Sequence, residues 1–132
     1  NSNKLYGKVT SADATQVTVQ VGEHTVQSTP GQTRFSPGDE VLATIRPEKV
    51  RLLATGEDAG NFSIVSGTAN EVLFHGSSYR LEVEIGQNRL FDVDTQLALA
   101  LGTTEIPSKG SVVRLAINPN MVSVFPIHED NI

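Results

Sequence analysis

Two residue types are missing from the chain, and the absences exclude whole classes of chemistry. The sequence contains no cysteine and no tryptophan, and its aromatic residues are limited to five Phe and two Tyr. Without cysteine there is no disulfide framework, no thiolate metal ligand and no thiol nucleophile. No apolar run approaches the roughly 18 residues of a membrane-spanning helix, and no segment resembles a signal peptide.

Catalytic and nucleic-acid-binding signals are missing as well. The phosphate-binding pattern G-x-x-x-x-G-K-[ST] does not occur, since the single Gly-Lys pair, Gly7-Lys8, is followed by Val9. Ten basic residues are scattered among fifteen acidic ones, for a net charge of -5, whereas nucleic-acid binders place Lys and Arg on phosphates. We expect no catalytic residues and no nucleic-acid partner. The three histidines are far apart in sequence, so we expect no metal site.

The chain instead contains an internal repeat. Residues 36–52 align with residues 108–124 at a constant offset, and both copies place a Gly before a strand and an X-Pro break after it. The matched positions are Gly38/Gly110, Val41/Val113, Ile45/Ile117, Pro47/Pro119, Val50/Val122 and Leu52/Val124. Two units are too few for a solenoid, so the repeat predicts a duplicated small β-module.

Alternation with a period of two residues predicts the secondary structure. Residues 16–21 and 79–85 place apolar side chains on one face and polar ones on the other, as in half-buried antiparallel strands. Expected strands are 4–10, 15–21, 23–28, 39–45, 49–54, 61–74, 78–86, 88–94, 111–117 and 120–126. A strand as long as 61–74 requires a bend, for which Gly67 is the expected position.

These strands predict an all-β fold, made of two tandem small OB-like five-stranded Greek-key barrels that arose by internal duplication. We expect the first half at residues 1–56 and the second at 57–132. The run 94–102 is the one candidate helix, with Asp94 or Thr95 as its cap. It lies in an insert, 95–106, that the first half lacks. It would serve as a plug over one barrel end, or as a lid or docking patch.

Three stretches, in this order, resemble a known family. They are Asn3-Lys4-Leu5-Tyr6-Gly7-Lys8-Val9, then Gly38-Asp39-Glu40-Val41 through Ile45-Arg46-Pro47-Glu48-Lys49-Val50-Arg51-Leu52, then Gly67 to Val83 with its Val72-Leu73-Phe74-His75-Gly76. This series resembles the transport-associated OB (TOBE) region of ABC-importer ATP-binding subunits, in the branch that imports polyamines or ferric iron. The resemblance extends over essentially the whole chain.

The resemblance implies a role and a set of partners. The chain would be a C-terminal regulatory domain that mediates subunit dimer contacts and senses a small solute, with no cofactor of its own. ATP and Mg²⁺ would bind in an upstream ATPase domain. Partners would be that domain, a second copy of the subunit and, indirectly, membrane permease subunits, at the cytoplasmic face of the membrane. Because the first residue is Asn rather than Met, we expect the chain to be cut from a longer polypeptide.

Two segments are candidates for interface or ligand contacts. Arg46, Pro47 and Glu48 form a corner that ends a strand, because proline lacks an N–H and forces its predecessor into extended geometry. The charges beside Pro47 would alternatively contact a neighbouring domain. His75, Gly76, Ser77 and Ser78 form a turn that is either an ordinary polar loop or a concavity for a small oxyanion.

Other hypotheses remain open from the sequence. Glu71, Glu82, Glu84, Asp92 and Asp94 form either a solvated face or a weak site for a polycation or metal ion. A free-standing intracellular oxyanion-binding protein is the main alternative function. A single-stranded nucleic-acid binder would need exposed aromatic residues beside basic ones.

Overall fold

The computed structural model describes residues 2–97 and 106–127. The described part of the chain forms ten strands and two 3₁₀ helices. Those of the first half are β1 (Asn3–Ala12), β2 (Val17–Val21), β3 (His24–Ser28), β4 (Glu40–Ile45), η1 (Pro47–Lys49) and β5 (Arg51–Leu52). Those of the second half are β6 (Ser63–His75), β7 (Ser78–Glu84), β8 (Leu90–Gln96), β9 (Val112–Ile117), η2 (Pro119–Met121) and β10 (Ser123–Pro126). In the described ranges, no helix is long and apolar enough to cross a membrane.

The strands form two five-stranded antiparallel sheets that exchange their last strands. The first sheet has the order β10-β4-β1-β2-β3, and the second has the order β5-β9-β6-β7-β8. The sequence prediction placed residues 49–54 in the first half and 120–126 in the second, and the pairing reverses both assignments. The reason is the X-Pro corner, where a 3₁₀ turn ends each strand and directs the chain to the other sheet.

The exchanged corners also close the two barrels. Helix η1 packs against β8, at the free edge of the second sheet, and η2 packs against β3, at the free edge of the first. At the β3 edge of the first sheet, the Thr29 backbone N–H donates to the Pro119 carbonyl over 3.1 Å, and the Ser28 hydroxyl donates to the Val122 carbonyl over 2.8 Å. Each half therefore depends on the other for both its fifth strand and its closure.

A continuous apolar core unites the halves. The inward-facing side chains of β2, such as Val19, and of β7, such as Leu81, are fully buried and belong to one cluster. Asn3 in β1 adds a polar link to β8: its amide donates to the Asp92 carbonyl and accepts from the Asp92 N–H, both over 2.8 Å. The Asn3 side-chain amide therefore links the first sheet to β8 of the second by the same pair of hydrogen bonds that two paired strand residues would make.

Gly7 and Gly67 occupy equivalent places in β1 and β6, where the next strand comes unusually close. A Cβ at Gly7 would lie 2.4 Å from the Gln20 carbonyl oxygen, and one at Gly67 would lie 2.4 Å from the Glu84 carbonyl oxygen. The register of β6 is irregular between Ala69 and Glu71, and Gly67 lies beside Thr68, where β6 passes from pairing with β9 to pairing with β7. The expected bend at Gly67 stays a prediction. Glycine is required here by close approach of the backbone.

The expected helix cap at Asp94 or Thr95 is wrong. Both residues continue strand β8, where they pair with Arg80 and Tyr79 of β7. The Asp94 carboxylate binds the Arg80 side chain, so it is not available to cap a helix. Most of the remaining run, from residue 98 to 102, lies outside the described residues.

Candidate functional site

The two candidate segments of the sequence meet at one depression on the second barrel. Glu48 comes from η1, His75 and Ser78 flank the β6–β7 turn, and the floor is the outer surface of β7 and β8. The depression has a volume of about 520 Å³. Its lining residues are Glu48, His75, Ser78, Arg80, Asp94, Thr95 and Gln96. The strand exchange creates this neighbourhood, because it brings the corner of the first half against the second sheet.

Four of the seven candidate residues lie beside the depression rather than in its lining. Arg46 precedes η1 in extended conformation, and Pro47 is the buried first residue of that helix. Gly76 and Ser77 form the exposed tip of the β6–β7 turn, where Gly76 has a φ of 60°. That value favours glycine, so the tip is explained by turn geometry.

The first corner carries a solvent-exposed ion pair. The Arg46 Nε lies 2.8 Å from the Glu48 Oε2, and the two side chains are 70% and 46% exposed. A hydrogen bond from its own backbone N–H lowers the pKa of Glu48, and Arg46 lowers that pKa further. Glu48 therefore presents a stable negative charge at the rim.

Arg80 organises the floor of the depression. Its Nε and Nη2 donate to the two carboxylate oxygens of Asp94 over 2.7 and 2.9 Å, and its Nη1 lies 3.7 Å from Asp92. This bidentate hydrogen bond lowers the pKa of Asp94 and raises the pKa of Arg80 above its ordinary value. Burial raises the pKa of Asp92. Around the depression, Glu48 is thus paired with Arg46 and Asp94 with Arg80, and Asp92 shares Arg80, so three carboxylates face two arginines.

Sequence reasoning did not single out Arg80. Alternation along β7 predicts that Arg80 lies on the same outer face as Glu82 and Glu84, so its position on the surface could have been predicted from the sequence. Its pairing with Asp94 depends on the β7–β8 register, which the chain alone does not reveal.

Aromatic packing supports the turn that carries His75. Phe74 faces Tyr79 across the hairpin, with ring centroids 6.2 Å apart and planes tilted by 45°. Tyr79 is buried at this end of the barrel, and burial raises its pKa. Among the described residues, 2–97 and 106–127, no group of three or more His, Asp or Glu side chains is arranged to hold a metal ion. His128 lies outside the described residues.

The comparisons with known proteins identify the family. The chain belongs to the TOBE domain family, whose sequence model matches residues 43–125. This segment runs from β4 to β10 and includes all five strands of the second sheet.

A solved structure shows the same fold. ModG, described as a cytoplasmic molybdate-binding protein and crystallised with molybdate bound, superposes with a TM-score of 0.78 at 15% sequence identity. The match covers 92% of this chain and 94% of that one. The predicted class, all-β with two tandem OB-like barrels, is confirmed. No curated protein sequence matches the chain.

Proposed function

We propose that this chain is the C-terminal accessory and regulatory domain of the ATP-binding subunit of an ABC-type solute importer. Membership of the TOBE family supports this proposal, as do the motifs that begin at Asn3 and Gly38. The domain itself performs no catalysis. ATP and Mg²⁺ bind in the upstream domain, and the subunit lies at the cytoplasmic face of the membrane through its permease partners.

The observation that carries the proposal is a difference between the two duplicated corners. Their backbones are alike: the Lys49 N–H donates to the Arg46 carbonyl over 2.9 Å, and the Met121 N–H donates to the Asn118 carbonyl over 2.9 Å. Pro47 and Pro119 occupy the same place in the two turns. The fold therefore requires the proline and the 3₁₀ turn.

The charges at the first corner are not required by the fold. Where the first corner has Arg46 and Glu48, the second has Asn118 and Asn120, and the same turn forms. An exposed ion pair of this kind contributes little to the stability of a fold, because water screens it. We infer that the charged corner contacts the upstream ATPase domain or the second subunit.

Regulation by a solute requires that the solute bind one conformational state of the transporter more tightly than another. The depression at Glu48 is where such a solute would act. Three carboxylates around it, those of Glu48, Asp92 and Asp94, face two arginines, Arg46 and Arg80. This balance favours a cationic solute, in keeping with the polyamine or ferric-iron branch.

A second candidate is a free-standing oxyanion-binding protein. The observation that favours it is the extent of the ModG match, which covers nearly the whole of both chains. ModG is described as a molybdate-binding protein, and this chain would then bind a similar oxyanion. The acidic depression opposes that function at this particular place.

A corner exchange tests the leading proposal. In the full-length native polypeptide, Arg46→Asn with Glu48→Asn copies the second corner onto the first. We expect the domain to fold normally and the polypeptide's ATPase activity, measured with its permease partners, to lose its response to the transported solute. The reciprocal exchange, Asn118→Arg with Asn120→Glu, is the control: it leaves that response intact once circular dichroism shows that the variant folds without the Asn118 cap and the Thr29–Asn120 hydrogen bond. An unchanged response in the first variant would contradict a role for this corner.

Calorimetric titration separates the two candidates. The free-standing oxyanion binder predicts saturable binding of molybdate to the isolated chain at micromolar concentration. The importer domain predicts no heat of binding with molybdate. Sulfate serves as the control anion of the same shape and charge.

A further inference from the structure

The duplication gives β1 and β6 the same place in the two sheets, so their first residues can be compared directly. Asn3 begins β1 and lies opposite Ile45 of β4, and Ser63 begins β6 and lies opposite Ile117 of β9. Ile45 and Ile117 are matched positions of the repeat. Asn3 and Ser63 are therefore equivalent residues with different side chains.

The strands that face these two residues are equivalent as well. Asp92 of β8 lies opposite Glu82 of β7, and Gln27 of β3 lies opposite Thr18 of β2. Glu82 and Thr18 stand at the same step after the register irregularity of each sheet, so Gln27 is the equivalent of Asp92. Strands β8 and β3 each end the strand order of their sheet. An edge strand presents backbone N–H and C=O groups that no neighbouring strand pairs.

In one of the two places, a side-chain carboxamide fills the gap between the sheets. Asn3 is only 7% exposed, and its carboxamide accepts from the Asp92 N–H and donates to the Asp92 carbonyl, both over 2.8 Å. A carboxamide carries a donor and an acceptor side by side, as a peptide group does, so it can complete the edge of a strand. Both backbone groups of Asp92 thereby gain a partner, which buried backbone groups require.

In the other place, the side chain is too short for this contact. The hydroxyl oxygen of Ser63 is one bond beyond Cβ, so it cannot make both of the bonds that an asparagine carboxamide makes. A groove of about 460 Å³ lies there, between β3 and the start of β6. The ring of its one histidine, His24, is already bonded to the Ile85 carbonyl over 2.7 Å. The lining residues are Glu23, His24, Thr25, Gln27, Asn61, Phe62, Ser63 and Ile64.

The lining of the groove discriminates between small polar groups. Phe62 and Ile64 are partly exposed and add apolar surface beside the strand edge. Glu23 is the one carboxylate in the lining. A ligand carboxylate would lack the N–H that the Gln27 carbonyl can accept, and Glu23 would repel it. A neutral primary carboxamide has the N–H and avoids the repulsion.

We infer that this groove, here called the carboxamide groove, binds a ligand through a primary carboxamide, which takes the place on Gln27 that Asn3 takes on Asp92. Such a carboxamide is supplied by a free small amide such as glutamine, or by an Asn or Gln side chain of a protein. The bound group joins the first barrel to the start of β6. The inference goes beyond the proposed function, because the groove is separate from the depression at Glu48 and needs no ATPase domain.

Amide hydrogen exchange compares the two places in the wild-type chain. Relative to their intrinsic rates, we expect the Gln27 N–H to exchange roughly tenfold faster than the Asp92 N–H, the factor that one hydrogen bond of ordinary net strength provides. Asn3→Ser should bring the Asp92 N–H to the rate of Gln27. A Gln27 N–H as protected as that of Asp92, with no amide added, would overturn the inference, because the groove would already be filled.

Two substitutions at Ser63 test whether the groove accepts a carboxamide. Ser63→Asn copies Asn3 and should slow exchange of the Gln27 N–H roughly tenfold. Ser63→Leu is the matched control, because leucine has the shape of asparagine without its donor and acceptor, and it should leave that rate near the wild-type value. Circular dichroism shows that both variants fold. Equal rates in the two variants would contradict the predicted fit.

A titration followed by the amide resonance of Gln27 identifies the source of the carboxamide. A saturable shift with L-glutamine but not with L-glutamate, lost in Ser63→Asn, identifies free small amides. A saturable shift only with the N-methylamide of acetyl-Gly-Gln-Gly, in which the Gln side chain is the one primary carboxamide, identifies a protein side chain. Equal shifts with glutamine and glutamate, or none with either carboxamide probe up to about 10 mM, would rule the inference out.

Discussion

At the residue scale, the two copies of the duplicated module separate what the fold requires from what function adds. Gly7 and Gly67 stand at equivalent positions because a neighbouring carbonyl leaves no room for a Cβ. Pro47 and Pro119 likewise begin the same 3₁₀ turn. At the X-Pro corner, the copies differ at Arg46 and Asn118, where the side chain is exposed or partly so and the backbone is the same.

Gly7→Ala tests the close approach of β1 and β2. The added methyl group must displace the Gln20 carbonyl, so we expect the free energy of unfolding to fall by about 1–3 kcal/mol. Gly31→Ala is the control, because nothing lies within 4 Å of a Cβ at that position. Urea unfolding measures both, and equal midpoints for Gly7→Ala and wild type would contradict the predicted crowding.

Asp94→Asn tests the Arg80–Asp94 pair through its pH dependence. Because the folded-state pKa of Asp94 is lowered, its stabilising contribution is present above the unfolded value of about 3.9 and is lost as the pH falls through the folded value. We expect the variant to lose about 1 kcal/mol at neutral pH. Its stability should also decline less than that of wild type on acidification.

Asp92→Asn is the matched contrast, because burial raises the pKa of Asp92. A raised carboxyl pKa means that stability falls as the pH rises through that value. We therefore expect Asp92→Asn to be at least as stable as wild type at neutral pH. Urea midpoints measured from pH 3 to pH 7 check both variants, and parallel curves for the two would contradict the assignment of the charges.

At the element scale, the sequence predicted the strands well and their partners poorly. Each of the ten strands in the described residues overlaps an expected strand, and the longer ones carry the period of two that burial of one face leaves in the chain. The exchange of β5 and β10 was missed because a strand two to four residues long fits either sheet by its pattern alone. The depression could not be predicted for the same reason, because Glu48 and His75 are brought together only by that exchange.

Paired glycine substitutions test the exchange. Val124→Gly weakens β10 and should reduce hydrogen-exchange protection in β4, whereas Leu52→Gly weakens β5 and should reduce protection in β9. Each loss should correspond to about 1–3 kcal/mol. Loss of protection within the substituted strand's own half would contradict the observed pairing.

At the scale of the whole molecule, the two barrels form one unit with a shared core and crossed strands. The family and the fold class were predictable, because the duplicated motif and the alternation are local properties of the chain. The contact between the Arg114 side chain and the Glu57 carbonyl was not, since it depends on how the segment after β5 folds back over the sheet. The division of the chain at residue 56 stays a prediction.

The size of the native polypeptide tests the central claim most directly. An antibody raised against this chain would be used to detect the protein in its source cells. The account predicts a band about 25 kDa larger than the chain, the size of one added domain, because the importer subunit carries its ATPase upstream. A band near 14.2 kDa would contradict the importer assignment and favour the free-standing oxyanion binder.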